Sequence, residues 1–233
     1  MEFFEAVKAR RSIRKYLPDV EVADDIVEKA LDAALLAPNS SNMQTWEFYW
    51  VQTPQKKQKL VEACLSQNAA RSAKHLLVFV ANPGNWRRSQ KEMVRQISQN
   101  GVENAPKLML TYYEKLIPMT YGMSFLAPLK WLIYNTTGLC RPMSRRPWSA
   151  RDVQEVAIKS SALAAENFML AISAQGYDTC PMEGFDEVRV KKILGLKSCS
   201  ARVVMVVSVG KRDPNKVWGE QVRFDKTWFI KKI

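Results

Sequence analysis

The sequence predicts an α+β sandwich, a class that three observations support. Apolar runs lie at residues 48–52, 75–81 and 201–209, the last two rich in Val, Leu, Met and Phe, and their lengths suit strands. The last two are almost continuously apolar, which is typical of strands buried on both faces of a sheet. Helical patterns outnumber these runs and do not alternate strictly with them, so a doubly wound fold is disfavoured.

Caps and breakers mark the predicted helices. Residues 1–16 show an amphipathic pattern that runs directly into a cluster of arginines. Further along the chain, apolar residues recur at spacings of three and four between good capping residues and proline or glycine stops. One helix is predicted from Asp24 to its stop at Pro38, a second begins at Thr53-Pro54, and a third runs from Ser149 to its stop at Gly176. A short fourth helix ends at Gly195.

Length and composition favour one domain that spans residues 1–233. The 233 residues are 47% hydrophobic and 25% charged, which is enough for one substantial core. The four cysteines are scattered and there is one histidine, so no metal site is expected. No signal-peptide pattern opens the sequence, and the cytoplasm is the expected location. A formal net charge of +12 attracts phosphate groups of any kind.

The standard nucleotide and hydrolase motifs are absent from the sequence. There is no G-x-G-x-x-G after a strand, no G-x-x-x-x-G-K-[ST], no H-E-x-x-H and no G-x-S-x-G. Hydrolytic chemistry by the protein's own side chains therefore has little support. A bound cofactor that supplies its own reactivity is the better explanation for a site.

Three polar segments hold the residue types that a phosphate-bearing ring cofactor needs. "ARRSIRKY" clusters three arginines and a serine, whose groups bind phosphate oxygens with charge-assisted hydrogen bonds. "APNSSNMQTWEFYWV" places amides and hydroxyls in a row after a helix. "PMEG" contains a glycine that lets the backbone approach a flat ring. Each also has an ordinary explanation, namely a solvated basic run, a polar loop, or a turn before a short helix.

Together these segments resemble the FMN-dependent nitroreductase family. R-R-S-x-R stands near residue ten, S-S-N-x-Q-x-W near residue forty, and P-x-E-G-F is followed by G-L and a V-V-x-V-x-V-G strand. The order and spacing of these motifs cover nearly the whole chain. The resemblance implies a nitroreductase-like sandwich, with a mixed, mainly antiparallel sheet, in a homodimer that binds FMN at its interface.

The resemblance also assigns roles to individual residues. The phosphate and ribityl chain would be held by Arg10, Arg11 and Ser12, with Arg14 near the pyrimidine end of the ring. The second subunit would supply Pro38, Asn39, Ser40 and Asn42. The ring would be lined by Asn68, Arg71, Pro181, Met182, Glu183 and Gly184, with the Gly184 amide near N5. The phosphate site would be closed by Arg223, or alternatively by Arg212.

The family's chemistry implies the expected reaction. NADH or NADPH gives a hydride to flavin N5, and an electron-poor acceptor such as a nitroaromatic or a quinone then takes it in a ping-pong mechanism. No side chain is expected to act as an obligatory acid or base, because the protein supplies position and electrostatics.

Two features depart from the family pattern. Gln44-Thr45-Trp46 stands where the family usually has Gln-Pro-Trp, which leaves the loop with one less conformational restraint. Residues 108–147 are unusually long and apolar, and Pro118, Gly122 and Pro128 interrupt them. We expect this segment to form a lid over the flavin. The alternatives are an extra layer of dimer packing and a membrane-surface contact beside Arg141, Arg145 and Arg146.

Two other functions compete with the main hypothesis. A reductive dehalogenase would share the R-R-S-x-R start and would use a lid, in which Tyr112, Tyr113, Glu114 and Lys115 would bind a zwitterion. A nucleic-acid-binding protein would suit the net charge, but the basic residues are dispersed among acidic ones instead of forming one block.

Overall fold

The centre of the protein is a four-stranded antiparallel sheet. The computed structural model describes residues 1–217 and 219–233. The strands are β1 (Trp46–Trp50), β2 (His75–Ala81), β3 (Asp178–Met182) and β4 (Arg202–Gly210), in the order β1-β2-β4-β3. All three neighbouring pairs are antiparallel. A parallel contact comes from outside the named strands, as an isolated bridge between Ser12 and Thr179.

Helices cover the sheet on both faces. They are α1 (Phe3–Ala9), α2 (Asp24–Leu35), α3 (Pro54–Ala63), α4 (Asn68–Arg71), α5 (Trp86–Ile97), α6 (Lys107–Thr111), α7 (Ala127–Cys140), α8 (Ala150–Ala174) and α9 (Glu187–Leu194). The predicted starts at Thr53-Pro54 and Ser149 are confirmed, and Ser149 forms a capping box with Asp152. Asp24 is the first residue of α2, whereas its cap position is Ala23.

Strand β2 shows why the layers form. Its residues alternate between two cores, with Leu76 and Val78 on one face and Leu77 and Phe79 on the other. The first core is completed by α3 and α9, and the second by α2 and α8. Both faces of β2 are therefore buried, as its continuous apolar sequence predicts. The α+β class is confirmed.

Two local predictions are wrong for one reason. The first helix ends at Ala9, and Arg10 is already extended with φ −61° and ψ 124°. The chain leaves the helix there because the Ile13 amide donates to the Thr179 carbonyl at 3.0 Å. The PMEG segment was predicted as a turn, but Pro181 and Met182 belong to β3, which lies at the sheet edge, where a strand tolerates proline. Long-range backbone pairing decided both segments.

Residues 108–147 form helical structure outside the sheet. After α6 the chain forms two π-helical turns, at Tyr112–Leu116 and Pro118–Gly122, and then the 14-residue α7. Pro128 lies in the first turn of α7 instead of breaking a helix. The base of this segment packs into a third core, which contains Met43, Trp86, Tyr113, Ile117, Tyr121 and Val153.

Candidate functional site

The arginine-rich segment lies along the end of the sheet. Ser12 bridges Thr179 of β3, and Tyr16 bridges Arg212 just after β4. The Tyr16 ring is 1% exposed, and its hydroxyl lies 2.9 Å from Ser208 Oγ. These contacts tie residues 12–16 to the sheet and so fix the backbone from which the arginine side chains extend.

A cationic cavity of about 210 Å³ is lined by this segment. Its walls include four of the predicted site residues from the N-terminal segment and one from near the C-terminus, namely Arg10, Arg11, Ser12, Arg14 and Arg223. Arg11 also donates to the Gly219 carbonyl at 3.0 Å, which holds the C-terminal segment beside the cavity. Residues more than 200 positions apart are therefore brought to one place, with Lys216 adding a positive charge and Glu220 a negative one to the lining.

Arg212, the alternative to Arg223, has a structural role. Its Nε donates to Asp178 Oδ1 at 2.8 Å, and its Nη2 donates to the Ala9 carbonyl at 3.0 Å. The bonds of Arg212 therefore connect β3, the chain after β4 and the end of α1. Asp178 is buried, so its ion pair with Arg212 is shielded from solvent. Arg212 is not among the cavity-lining residues, and Arg223 is.

The turn after β3 is tied to helix α4. Gln67 Nε2 donates to the Gly184 carbonyl at 2.7 Å. Ser72 Oγ donates to the Asn68 carbonyl at 2.8 Å and accepts from the Tyr16 amide at 3.2 Å. Glu183 and Gly184 are exposed, whereas Met182 is buried in β3. A methyl group added at Gly184 would lie 3.5 Å from Gln67 Nε2, an ordinary contact, so the protein's own packing does not require glycine there.

The polar loop after α2 is preformed by internal bonds. Ser41, Asn42 and Gln44 have φ of 56°, 54° and 42°, in the left-handed region that non-glycine residues seldom adopt. Asn39 Oδ1 accepts from the Gln44 amide at 2.8 Å, and Asn42 Oδ1 accepts from Gln44 Nε2 at 3.2 Å. These bonds restrain the loop although Thr45 replaces the family's proline.

Three tyrosines of the 108–147 segment hold the same loop. Ser41 Oγ lies 2.6 Å from Tyr112 Oη, Tyr113 Oη donates to the Ser41 carbonyl at 3.3 Å, and Tyr121 Oη donates to Ser40 Oγ at 3.2 Å. Burial raises the pKa of the Tyr113 hydroxyl. The zwitterion hypothesis had given Tyr112 and Tyr113 a substrate role, whereas both hydroxyls are bonded to Ser41.

The polar loop and the basic segment line different cavities. Ser40 and Ser41 border a cavity of about 380 Å³, together with Tyr112, Tyr121 and Tyr134. Within the described residues, this cavity and the cationic one share no lining residue. One chain therefore presents two halves of the predicted site at separate places.

Comparison with known proteins decides the family. The sequence matches the Nitroreductase family over residues 7–211. The chain belongs to the nitroreductase family. It is 29% identical over 212 residues to Protein DrgA of Synechocystis sp., covering 91% of this chain and 85% of that protein. It is 26% identical over 211 residues to YdgI of Bacillus subtilis, which carries the provisional name NAD(P)H nitroreductase, covering 90% of this chain and 88% of that one.

Solved structures of the family share the fold. A protein from Exiguobacterium sibiricum, described as a nitroreductase in complex with FMN, superposes with a TM-score of 0.74 at 21% identity. The match covers 100% of this chain and 98% of that one. The family resemblance drawn from the sequence motifs is thereby confirmed, together with the sandwich architecture.

Sequence reasoning missed the tyrosine contacts to the polar loop. The only available signal was the density of tyrosines at 112, 113 and 121, because hydroxyl bonds to Ser40 and Ser41 depend on how a distant segment packs. In the part of the chain that the structure describes, no three metal-ligating side chains come together. Among the same residues, no helix has the length and apolarity to cross a bilayer.

Proposed function

We propose that this protein is an NAD(P)H-dependent FMN oxidoreductase that reduces electron-poor acceptors such as nitroaromatics or quinones. The observation that carries the proposal is the cationic cavity formed by Arg10, Arg11, Ser12, Arg14 and Arg223. A phosphate monoester has about two negative charges at neutral pH, and arginine forks match its oxygens. The names of the relatives, which include an NAD(P)H nitroreductase and an FMN complex, support the same cofactor and electron donor.

The residues present suit FMN. Arg10, Arg11 and Arg223 would bind the phosphate, and Ser12 would bind a ribityl hydroxyl. Glu183 and Gly184 are exposed beside α4, where a flat ring can approach the backbone without displacing a side chain of this chain. When bound, FMN accepts a hydride from NADH or NADPH and passes it to the acceptor. Arg14, and Arg71 on α4, would stabilise negative charge that develops on the ring.

A homodimer would complete the site. Because the basic segment and the polar loop lie at separate cavities, Pro38, Asn39, Ser40 and Asn42 would act on the flavin held by the second copy. Strand β1 is an edge strand beside a cavity of about 980 Å³, and such an edge is a surface that a second chain can cover. Exposed apolar residues of the C-terminal segment, Phe224, Trp228 and Phe229, are further surface of this kind.

The 108–147 segment would form the cover of the site through its inner surface. Leu116, Met119 and Tyr134 line the cavity beside Ser40 and Ser41 and would face the acceptor. Phe125 and Trp131, two large apolar residues of the same segment, are 81% and 49% exposed and lie outside that cavity. A cytoplasmic location belongs to the same proposal, and the four free cysteines agree with a reducing compartment.

The first experiment is a visible spectrum of the purified protein, followed by anaerobic titration with NADH and with NADPH. A flavin absorbance that bleaches with one or both donors is expected. A colourless protein that does not take up added FMN would refute the proposal.

A complementation experiment tests the two-chain site. Arg10→Ala/Arg14→Ala and Ser40→Ala/Asn42→Ala should each lose flavin, while Lys59→Ala/Arg189→Ala, two exposed basic residues on α3 and α9, should keep it. When the two flavin-free variants are mixed and allowed to exchange subunits, each mixed dimer has one intact site. Flavin binding should then return to about one quarter of all sites, because half of the dimers are mixed. No recovery after verified exchange would place each site within one chain.

A further inference from the structure

Helix α7 carries an apolar outer face that the rest of the described chain leaves exposed. Leu129, Leu132, Ile133 and Leu139 recur at spacings of three, four and ten, which places them on one side of a helix. Their exposed fractions are 50%, 52%, 46% and 83%. Phe125, immediately before the helix, is 81% exposed. An apolar surface of this extent marks a contact with a partner.

The single charged side chain of α7 points away from this face. Lys130 is 7% exposed, and its ammonium group donates to the Met119 and Thr120 carbonyls at 3.1 and 3.0 Å. This inward bond anchors α7 to the preceding turn. The outer face consequently has no charge of its own.

The chain segment that carries this face has charged residues of one sign only. Residues 115–151 contain no Asp or Glu, and they contain six Lys or Arg. Lys130 is buried, as described above. Arg145 donates to Asn135 and Gly138 near the end of α7, and Arg146 pairs with Glu155. The other three basic residues are exposed, namely Lys115, Arg141 and Arg151. An apolar face without charge, in a segment whose own charges are all basic and whose helix ends at the exposed Arg141, complements a surface that is apolar inside and anionic at its edge.

We infer that the outer face of α7 binds the surface of an anionic lipid bilayer. A bilayer interface has apolar chains beneath negatively charged headgroups, which is the arrangement that this face and the basic residues of its segment match. A second copy joined through the same face would bring the basic residues of two such segments together, which opposes association through this face. At 14 residues α7 is about 21 Å long, shorter than the bilayer core, so it lies in the interface plane.

The test is co-sedimentation of the full-length protein, as purified, with vesicles of phosphatidylcholine with and without phosphatidylglycerol. Binding is expected only when the anionic lipid is present, and it should fall as salt is raised. Leu132→Glu should lower binding about tenfold, since it places a charge on the inserted face. Val188→Glu, at an apolar residue of α9 that is 78% exposed, is the matched control and should bind like the parent.

A second pair of variants tests the basic residues of the segment. Arg141→Gln should lower binding about fivefold, and Lys56→Gln on α3 should not change it. The inference is overturned if the parent does not bind anionic vesicles, or if Leu132→Glu and Val188→Glu behave alike. It is also overturned if Leu132→Glu splits an oligomer in sedimentation while vesicle binding is absent, because the face would then belong to a second copy. None of these outcomes depends on flavin content, so failure here leaves the proposed oxidoreductase function untouched.

Discussion

Ser41 Oγ and Tyr112 Oη lie 2.6 Å apart, and this contact joins the polar loop to the 108–147 segment. Ser41 has a left-handed backbone with φ of 56°, a conformation that needs support from its neighbours. The bond therefore stabilises the loop conformation and couples the position of Ser40 and Asn42 to that of the predicted lid.

Tyr112→Phe should loosen this loop. Loss of one partly buried hydrogen bond should lower the free energy of unfolding by about 1 kcal/mol. If Ser40 and Asn42 contact the flavin of the partner, FMN affinity should fall as well. Tyr177→Phe, which removes a hydroxyl from a tyrosine outside the loop, is the control. Thermal unfolding and FMN titration measure the two effects. Unchanged FMN affinity would mean that the loop conformation does not contribute to FMN binding.

Arg212 and Arg223 should differ in what they support. Arg212→Ala leaves the buried Asp178 carboxylate without its partner and should destabilise the fold by about 2–4 kcal/mol. Arg223→Ala removes a cavity-lining charge and should weaken FMN binding while changing the unfolding free energy little. Urea unfolding and flavin titration of both variants test this. The reverse pattern would return Arg212 to the phosphate site.

Two glycine substitutions should also behave differently. A methyl group at Gly210 would lie 2.5 Å from Cγ of the buried Tyr16 side chain, which is a steric clash. Gly210→Ala should therefore destabilise the fold strongly or prevent its formation. Gly184→Ala has room in the chain itself and should fold normally. If the ring lies against Gly184, this second variant should bind FMN more weakly. If folded Gly184→Ala binds FMN with normal affinity, the flavin ring does not lie against Gly184.

Stability should fall at alkaline pH. Burial raises the pKa of Cys64 to about 11 from its usual 9.0, and burial also raises the pKa of Tyr16. Between about pH 9 and 11 the unfolded chain loses the Cys64 proton that the folded chain keeps, so the free energy of unfolding decreases as pH rises. Urea midpoints at pH 7, 9 and 10.5 measure this. Cys64→Ala should show a smaller decrease, and an equal decrease would exclude Cys64 as a cause.

The sequence by itself determined the elements whose signals are local. Capping at Ser149, proline at the start of α3 and the continuous apolar runs of β2 and β4 depend on residues a few positions apart. The family motifs likewise marked the basic segment and the polar loop. These features follow from backbone geometry and side-chain chemistry that neighbours in sequence decide.

Only the tertiary structure decided the rest, because the relevant contacts join residues far apart in the chain. Strand β3 exists through its pairing with β4, and the chain after the end of α1 at Ala9 is extended and pairs with β3 through Ile13 and Thr179. The C-terminal segment packs beside the N-terminal one. This packing places Arg223 in the cavity lining, whereas Arg212 pairs with Asp178. The tyrosine contacts to Ser40 and Ser41 and the uncovered face of α7 depend on how residues 108–147 pack against the core. Sequence spacing carries no information about such packing, since its energy comes from surfaces that meet only after the chain has folded.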